Sequence, residues 1–156
     1  MADSWEMLEH ACRQCHSCSL SARRTNTVFG DGSRTAEIMF IGEAPGANED
    51  RQGLPFVGKA GQLLDDMLEI IGLDRGMVYI TNICKCRPPD NRDPLGVEQE
   101  TCLPFLRKQT ALLRPKIIVC LGRIAAMQLI DPDLKITREH GQWTEKAGVA
   151  MTALYH

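Results

Sequence analysis

The feature that most constrains the fold is an alternation of short apolar runs with longer amphipathic segments. Four runs are short, largely apolar and followed by glycine or polar residues: Thr35–Ile41, Met77–Thr81, Lys116–Leu121 and Val149–Tyr155. The segments between them carry apolar residues at helical spacing: Gly58–Ile71, Gly96–Leu113 and Gly122–Ile130. Strands that alternate with helices form a parallel sheet covered on both faces. We therefore predict an α/β fold of three layers, α/β/α, with a central four-stranded parallel sheet.

Two helical segments are less regular than the others. Trp5–Ala11 indicates a short amphipathic helix that leads into a cysteine-rich segment. Pro104 falls inside Gly96–Leu113. Because proline lacks an N–H and its ring meets the preceding turn, we expect it to kink or delay that helix.

The composition is that of a globular domain. Hydrophobic residues make up 44% of the 156 residues and charged residues 24%, so we expect a single domain over residues 1–156. No apolar stretch approaches the ~20 residues that a membrane helix needs, so no membrane partner is expected. The first residues lack the pattern of a signal peptide, and seven cysteines without an export signal indicate reduced thiols or metal ligation. We expect a cytoplasmic protein.

The charge balance permits a nucleic-acid partner without requiring one. A net charge of −2 is not that of a general polyanion binder. Lys85, Arg87 and Arg92 nevertheless cluster after the second predicted strand. Such a cluster can meet phosphates, but solvated surface charge is the commoner case, and we expect the latter here.

Polar residues follow the predicted strands at the points where the strands end. Glu43 follows the first strand, Asn82 ends the second, and His156 follows the fourth. In open parallel sheets, ligands bind beyond the carboxyl ends of the strands. The sequence therefore predicts one functional site at this edge of the sheet.

Four cysteines are candidate metal ligands: Cys15, Cys18, Cys86 and Cys102. Four thiolates suit either a [4Fe–4S] cluster or a structural zinc ion, and spacing alone does not separate the two.

The other cysteines are weaker candidates. Cys120 lies in an apolar run and is expected to be a buried thiol. Cys84 alternates with the candidate ligand Cys86 along an extended segment and should face the other way. Cys12 stays open as a replacement for Cys15 or Cys18, because the three form overlapping C-x-x-C pairs.

Several motifs occur in order along the chain: Cys-His-Ser-Cys-Ser-Leu at 15–20, Gly-Glu-Ala-Pro-Gly at 42–46 followed by Glu-Asp at 49–50, Pro-Phe-Val-Gly-Lys-Ala-Gly at 55–61, Thr-Asn-Ile at 81–83 and Lys-Cys-Arg-Pro-Pro at 85–89. In these motifs the chain resembles the type 4 uracil-DNA glycosylases, over nearly its whole length. The resemblance implies a monofunctional DNA repair enzyme that flips uracil out of DNA and hydrolyses its N-glycosidic bond, leaving an abasic site.

The resemblance also implies a cofactor, a substrate and a location. It selects a [4Fe–4S] cluster over zinc at the four candidate cysteines. The substrate is uracil-containing single- or double-stranded DNA, and we expect a monomer that is associated with the nucleoid. Nothing in the sequence supports a sliding clamp as a partner.

The resemblance assigns four residues to uracil binding. Phe56 is expected to stack on the base, and Asn82 to read its edge with one donor and one acceptor. Glu49 is expected near the C5 edge, where thymine carries its methyl group. Ala44 belongs to the same set and stands where relatives of other types carry an aspartate. Without the resemblance, Phe56 would be a packing residue, Asn82 a turn cap and Glu49 a surface carboxylate.

Three residues are assigned to bond cleavage by the same resemblance. His156 would donate a hydrogen bond to the oxyanion that develops on the departing uracil. Glu43 would orient or activate water, or stabilise the sugar cation, and Asn91 would help to hold the water. Without the resemblance, Glu43 would serve only the dipole of a helix that follows it.

The chain departs from the family pattern at its end. In the family, the motif histidine begins a His-Pro-Ser loop, so we expect this chain to be truncated there and to bind DNA weakly or turn over slowly. No basic insertion lies between Asn82 and Pro88, so we do not expect covalent attachment to DNA. The alternatives are a non-catalytic nucleic-acid-binding iron–sulfur domain associated with a polymerase, or an electron-transfer iron–sulfur protein.

Overall fold

The computed structural model describes residues 2–17 and 19–155. Six α-helices occur in these residues: α1 (Ala2–Arg13), α2 (Ala47–Gln52), α3 (Lys59–Ile70), α4 (Gly96–Leu113), α5 (Arg123–Leu129) and α6 (Ile136–Glu139). Six strands occur with them: β1 (Asp31–Gly32), β2 (Ile38–Gly42), β3 (Tyr79–Asn82), β4 (Ile117–Leu121), β5 (Trp143–Lys146) and β6 (Val149–Leu154). None of the helices in these residues has the length and apolar character needed to cross a bilayer.

The strands form one sheet in the order β1-β3-β2-β4-β6-β5. The four predicted strands are the central ones, and each pairs in parallel with its neighbour. The prediction of a four-stranded parallel sheet is nevertheless wrong, because β1 and β5 add an antiparallel strand at each edge.

The two edge strands lack the sequence signals of a buried strand. β1 is a single Asp-Gly pair, and every residue of β5 is exposed. A turn at Ala147 and Gly148, both with positive φ, connects β5 to β6. Primed hairpin turns favour glycine or asparagine at both central positions, so an Ala-Gly pair is a weak signal for one.

Alternate residues of the central strands face two separate cores. Met39 and Cys120 face a core that they share with residues of α1, α4 and α5. Phe40 and Val119 face the other core, which contains Leu64 and Leu68 of α3. Helices therefore cover both faces of the sheet, as the predicted order of layers requires.

Pro104 lies inside α4, which continues on both sides of it. The proline deprives the carbonyl of Glu100, one turn earlier, of its N–H partner. Glu100 is an exposed residue, so this turn of the helix faces solvent. The helix is therefore not delayed by the proline, contrary to one of the expected outcomes.

The chain connections run in opposite directions from two neighbouring central strands, β2 and β4. From β2 the chain crosses by α3 to β3 on one side, whereas β4 on the other side leads to β6. Gly42 and Asn82, the last residues of β2 and β3, are direct partners in the sheet. A divergence of this kind leaves a crevice at the carboxyl ends of the strands, where ligands bind in open α/β sheets.

Candidate active site

A cavity of about 270 Å³ lies at the carboxyl ends of β2 and β3. All the predicted base-binding and catalytic residues that the structure describes line it: Glu43, Ala44, Glu49, Phe56, Asn82 and Asn91. His156, the remaining predicted catalytic residue, lies outside the described residues. The fold therefore brings six residues from five separate segments of the chain to one place, while their individual roles stay predictions.

The side chain of Asn82 presents a buried amide to this cavity. Asn82 is 2% exposed. Its side-chain amide has no hydrogen-bond partner among the residues that the structure describes, although its main-chain carbonyl accepts a bond of 2.8 Å from the Lys85 ammonium. An amide offers both a donor and an acceptor, and this one lines the cavity, where a ligand can use both. The geometry therefore suits a ligand with a complementary polar edge.

The main chain of Phe56 is held in an unusual conformation. Its φ is +52°, a value that residues other than glycine rarely adopt. Arg75 donates hydrogen bonds to the carbonyls of Pro55 and Phe56, at 2.6 and 2.9 Å, and also to Asp65 at 3.3 Å. Arg75 was not recognised from the sequence, because a single arginine in the loop between α3 and β3 gives no indication of its partners.

Glycine at two positions allows the aromatic ring to sit where it does. A Cβ at Gly42 would lie 2.5 Å from the ring of Phe56 and 2.5 Å from Oδ1 of Asn82. A Cβ at Gly61 would overlap the carbonyl of Phe56. The ring and the amide thus share the space above Gly42, and α3 packs directly on the main chain of the Phe56 loop.

Glu49 uses its carboxylate to shape the pocket wall. One oxygen accepts a hydrogen bond from the N–H of Gly46 at 3.0 Å. The other accepts from the N–H groups of Val57 and Gly58, at 2.9 and 3.0 Å. This carboxylate therefore connects the start of α2 to the loop that carries Phe56, a structural task that the sequence analysis did not assign to it.

Glu43 forms a charged group with two residues that the sequence analysis missed. Burial, a hydrogen bond with Asp93 and the charge of Asp93 raise the pKa of Glu43 to about 7, while Arg123 opposes the shift. Arg123 also forms an ion pair with Asp93, and this contact lowers the pKa of the Asp93 carboxyl. Arg123 begins α5, directly after β4, so the position after the third predicted strand was a usable signal.

The raised pKa of Glu43 predicts a specific change in stability with pH. Since the folded protein holds the proton more tightly than the unfolded chain, the free energy of unfolding should fall as the pH rises from about 4.5 to about 7. Glu43→Gln resembles the protonated form and removes this loss. Denaturant unfolding at pH 5 and pH 8 should show the variant gaining stability over wild type at the higher pH. A difference that is the same at both values would contradict the assigned pKa.

Asn91 lies on the exposed rim of the cavity. Its φ is +55°, and its Oδ1 accepts a hydrogen bond of 2.9 Å from Nε of Arg87. The loop is anchored at its far side by the pair of Arg92 and Glu98, whose two contacts measure 2.8 and 2.9 Å. Glu98 is 1% exposed, so the loop that carries Asn91 is attached to the start of α4.

A second cavity brings cysteines together on the other side of β3. Cys12, Cys15, Cys86 and Cys102 line it. Among residues 2–17 and 19–155, no three potential metal ligands lie close enough to form a metal site. Cys18, the remaining predicted ligand, lies outside the described residues.

Nitrogen donors surround the sulfur atoms of the three predicted ligands that are described. The N–H of Ser17 lies 3.5 Å from Sγ of Cys15, and the N–H of Lys85 lies 3.2 Å from Sγ of Cys102. Nη1 of Arg24 lies 3.3 Å from Sγ of Cys86. Donors of this kind stabilise thiolates and are typical of the surroundings of iron–sulfur clusters.

The pKa values of the cysteine thiols in and near this cavity differ sharply. A hydrogen bond with Cys84, the charge of Lys85 and the main-chain N–H of Lys85 lower the pKa of Cys102 to about 6, against the effect of burial. Burial raises the pKa of Cys12 to about 12. Burial also raises the pKa of Cys120 to about 12, and this residue lies fully inside β4 as the apolar run predicts.

Lys85 does not belong to a solvated surface cluster, and that expectation is wrong. It is 1% exposed. Burial lowers its pKa to about 8, against the charges of Cys102, Cys12 and Cys84. The sequence gives no sign of this, because a lysine between two cysteines is buried only by the way that β3, α1 and α4 come together.

The fold and the cavity define an α/β domain with a ligand site at the ends of its strands. An aromatic ring beside an unpaired amide suits a planar ligand with a polar edge. The family model described as "Uracil DNA glycosylase superfamily" matches residues 29–156.

Several curated relatives are named "Type-4 uracil-DNA glycosylase". That of Archaeoglobus fulgidus is 48% identical over 152 residues, covering 91% of this chain and 75% of the relative. That of Sulfurisphaera tokodaii is 54% identical over 122 residues, covering 78% of this chain and 56% of the relative. That of Thermotoga maritima is 42% identical over 137 residues, covering 87% and 71%. The chain belongs to the uracil-DNA glycosylase superfamily and, within it, to the type-4 family. It spans about half to three quarters of the length of these relatives.

Proposed function

We propose that this chain is a DNA repair glycosylase domain that removes uracil from DNA by hydrolysing its N-glycosidic bond. The observation that carries the proposal is the convergence of Phe56, Asn82 and Glu43 on one cavity at the strand ends. The names of the type-4 relatives support the same activity. We also propose that the domain acts as a monomer. A repair enzyme of this kind works on chromosomal DNA, hence the proposed association with the nucleoid.

Base recognition would use the ring of Phe56 and the amide of Asn82. The ring offers a face for stacking, and the amide offers a donor to a carbonyl of uracil and an acceptor for its ring N–H. Cytosine presents an amino group and an unprotonated nitrogen in those places, so the same amide would be mismatched. A buried polar group that is left unpaired by the wrong ligand is a strong basis for selectivity.

Bond cleavage would use Glu43 with Asp93 and Arg123. Charge develops on the departing uracil and on the sugar, and a carboxylate at this place can orient water or stabilise the sugar cation. Asp93 and Arg123 would hold the carboxyl of Glu43 and balance its charge. We retain Asn91 as a residue that helps to hold the water and His156 as the proposed donor to the departing base.

The cysteine cavity supports a proposed [4Fe–4S] cluster with Cys15, Cys18, Cys86 and Cys102 as ligands. The N–H donors that point at three of these sulfur atoms suit bound thiolates. The cluster would join the segment after α1 to the segment after β3 and to α4, and its contribution would be structural. Zinc remains the alternative for the same four thiolates.

Cysteine variants should separate a ligand from a buried thiol. Cys86→Ala should lose most of the bound metal and unfold at lower temperature, because structural metal binding contributes to folding directly. Cys120→Ala, the matched control, should keep the metal of wild type. Iron and sulfide analysis of anaerobically purified protein, with zinc measured in the same samples, provides the readout. Iron loss from Cys120→Ala, or full iron in Cys86→Ala, would show that the ligand assignment is wrong.

An excision assay tests the proposed function itself. We expect the chain, and a version extended past residue 156, to release free uracil from a single-stranded oligonucleotide that contains one deoxyuridine. The same oligonucleotide with cytosine or thymine at that position should release no base. A folded, metal-loaded protein that binds the oligonucleotide but releases no uracil in either form would favour a non-catalytic binding domain. A cluster that changes oxidation state reversibly in such an inactive protein would instead favour electron transfer.

A further inference from the structure

The ammonium group of Lys85 lies between the two cavities. Its Nζ donates hydrogen bonds to Oγ1 of Thr81, at 2.5 Å, and to the main-chain carbonyl of Asn82, at 2.8 Å. The hydroxyl of Thr81 in turn donates to the carbonyl of Phe29 at 2.7 Å. The side chain of Lys85 thus folds back along β3 and holds the end of the strand from which the Asn82 amide enters the base-binding cavity.

The main chain of Lys85 belongs to the cysteine site. Its N–H donates to Sγ of Cys102 at 3.2 Å, and the residue lines the cysteine cavity. Its carbonyl accepts a bond of 2.7 Å from the N–H of Val28, which fixes the main chain from the other side. One residue therefore contacts both the cysteine site and the base-reading strand end.

The charge of Lys85 is not balanced by a carboxylate of the residues that the structure describes. No carboxylate in the described part of the chain forms an ion pair with this ammonium. A buried cation needs compensation, because transfer of an unpaired charge out of water is strongly unfavourable. Of the groups able to carry negative charge, Cys102 contacts this residue directly, since its Sγ accepts the main-chain N–H of Lys85 at 3.2 Å.

We propose that Lys85 is a positioning residue that couples the cysteine site to base recognition. The main-chain N–H of Lys85 is held by Sγ of Cys102, and its ammonium fixes the Asn82 carbonyl and with it the direction of the Asn82 amide. This inference rests on the proposed function, since it assigns the Asn82 amide to the reading of uracil. Its consequence is that the charge of Lys85 affects the choice of base rather than the general affinity for DNA.

The test compares binding to two single-stranded oligonucleotides that differ at one position. One carries 2′-fluoro-2′-deoxyuridine, whose electron-withdrawing fluorine slows glycosidic cleavage, and the other carries thymidine. Lys85→Met keeps the approximate length of the side chain and removes its charge and donors. We expect the preference for the uracil oligonucleotide to fall about tenfold, within the range typical of coupled sites, while affinity for the thymidine oligonucleotide stays unchanged. Lys116→Met, the exposed control, should behave as wild type.

A second variant keeps the test decisive if Lys85→Met does not fold. Thr81→Val removes one acceptor of the ammonium but keeps the charge, and the Phe29 carbonyl retains its bond of 2.9 Å from Gln109. We expect it to lower the preference for uracil in the same direction by a smaller factor. Equal losses for both oligonucleotides, or a wild-type preference in the folded variants, would overturn the inference. A wild-type protein without any preference for uracil would instead contradict the proposed function.

Discussion

Replacement of Asn82 by alanine is expected to reduce uracil excision by about 10²–10³-fold in kcat/KM, the usual cost of removing one preorganised hydrogen-bonding group. The residue is 2% exposed and lines the cavity, and its amide has no partner in the described part of the chain, so it is available to a ligand. Because the side chain makes no such contact within the protein, its removal should change the melting temperature little. Steady-state excision from a deoxyuridine oligonucleotide, with thermal unfolding of the same samples, measures both effects.

The selectivity of this effect is what identifies Asn82 as a base-reading residue. Affinity for the oligonucleotide should fall less than tenfold, because most contacts to DNA are made with phosphates and sugars. Gln142→Ala, which removes an exposed amide beside the edge strand β5, is the control and should excise as wild type. Comparable losses in excision and in DNA affinity would show that Asn82 does not read the base.

Replacement of Gly42 by alanine is expected to disable the same pocket by a steric route. The added Cβ would lie 2.5 Å both from Oδ1 of Asn82 and from the ring of Phe56, far inside van der Waals contact. Neither neighbour is free to move, since the Phe56 loop is held by Arg75 and the end of β3 by Lys85. Overpacking of this kind costs about 1–3 kcal/mol of stability. We expect excision to fall by at least as much as in Asn82→Ala, because both base-binding groups are displaced.

A second glycine provides the control for this variant. Gly96 begins α4 and has no heavy atom within 4 Å of the position of an added Cβ. Gly96→Ala should therefore be neutral or slightly stabilising, since alanine favours the helix. Thermal unfolding and excision rates of the two variants make the comparison. Wild-type excision by Gly42→Ala would mean that the ring and the amide can separate without loss of function, against the proposed mode of binding.

Much of the base-binding site was predictable because it follows from the order of strands and helices. Once β2 and β3 are parallel neighbours, Glu43 and Asn82 must lie at the same edge of the sheet. Phe56 follows β2 only after helix α2, and its role was assigned by the family resemblance. The placement of Glu43 and Asn82 depends on local apolar patterns and on strand direction, which the sequence carries within short segments.

The partners of these residues were not predictable in the same way. Asp93 and Arg123 are separated by 30 residues and meet because the loop before α4 passes over the start of α5. Arg75 reaches back 19 residues to the carbonyl of Phe56. The position of Arg123 after a predicted strand was a usable signal, but its contact with Asp93 and the contact of Arg75 do not follow from periodicity or from strand ends. Such contacts arise from the packing of loops on a finished sheet, and a single sequence records no local signal of them.

The edge strands show the same division on a smaller scale. β6 is apolar and was predicted, whereas β5 is exposed throughout and owes its strand conformation to pairing with β6. β1 consists of two residues that pair with β3 only because that strand is already in place. Backbone hydrogen bonds to an existing sheet, rather than side-chain pattern, decide such strands.

The amino-acid order by itself determined the alternation of strands and helices, the edge of the sheet that carries the pocket, and the family. It did so because burial of apolar residues at fixed periods is a local property of each segment, and because the ordered motifs of the chain resemble those of the family. Only the tertiary structure decided the burial of Lys85, the contact of Glu43 with Asp93, and the shared space of Phe56 and Asn82 above Gly42. These three features depend on groups that are distant along the chain and close in space. Whether a charged side chain such as Lys85 is buried is decided by the elements that pack around it.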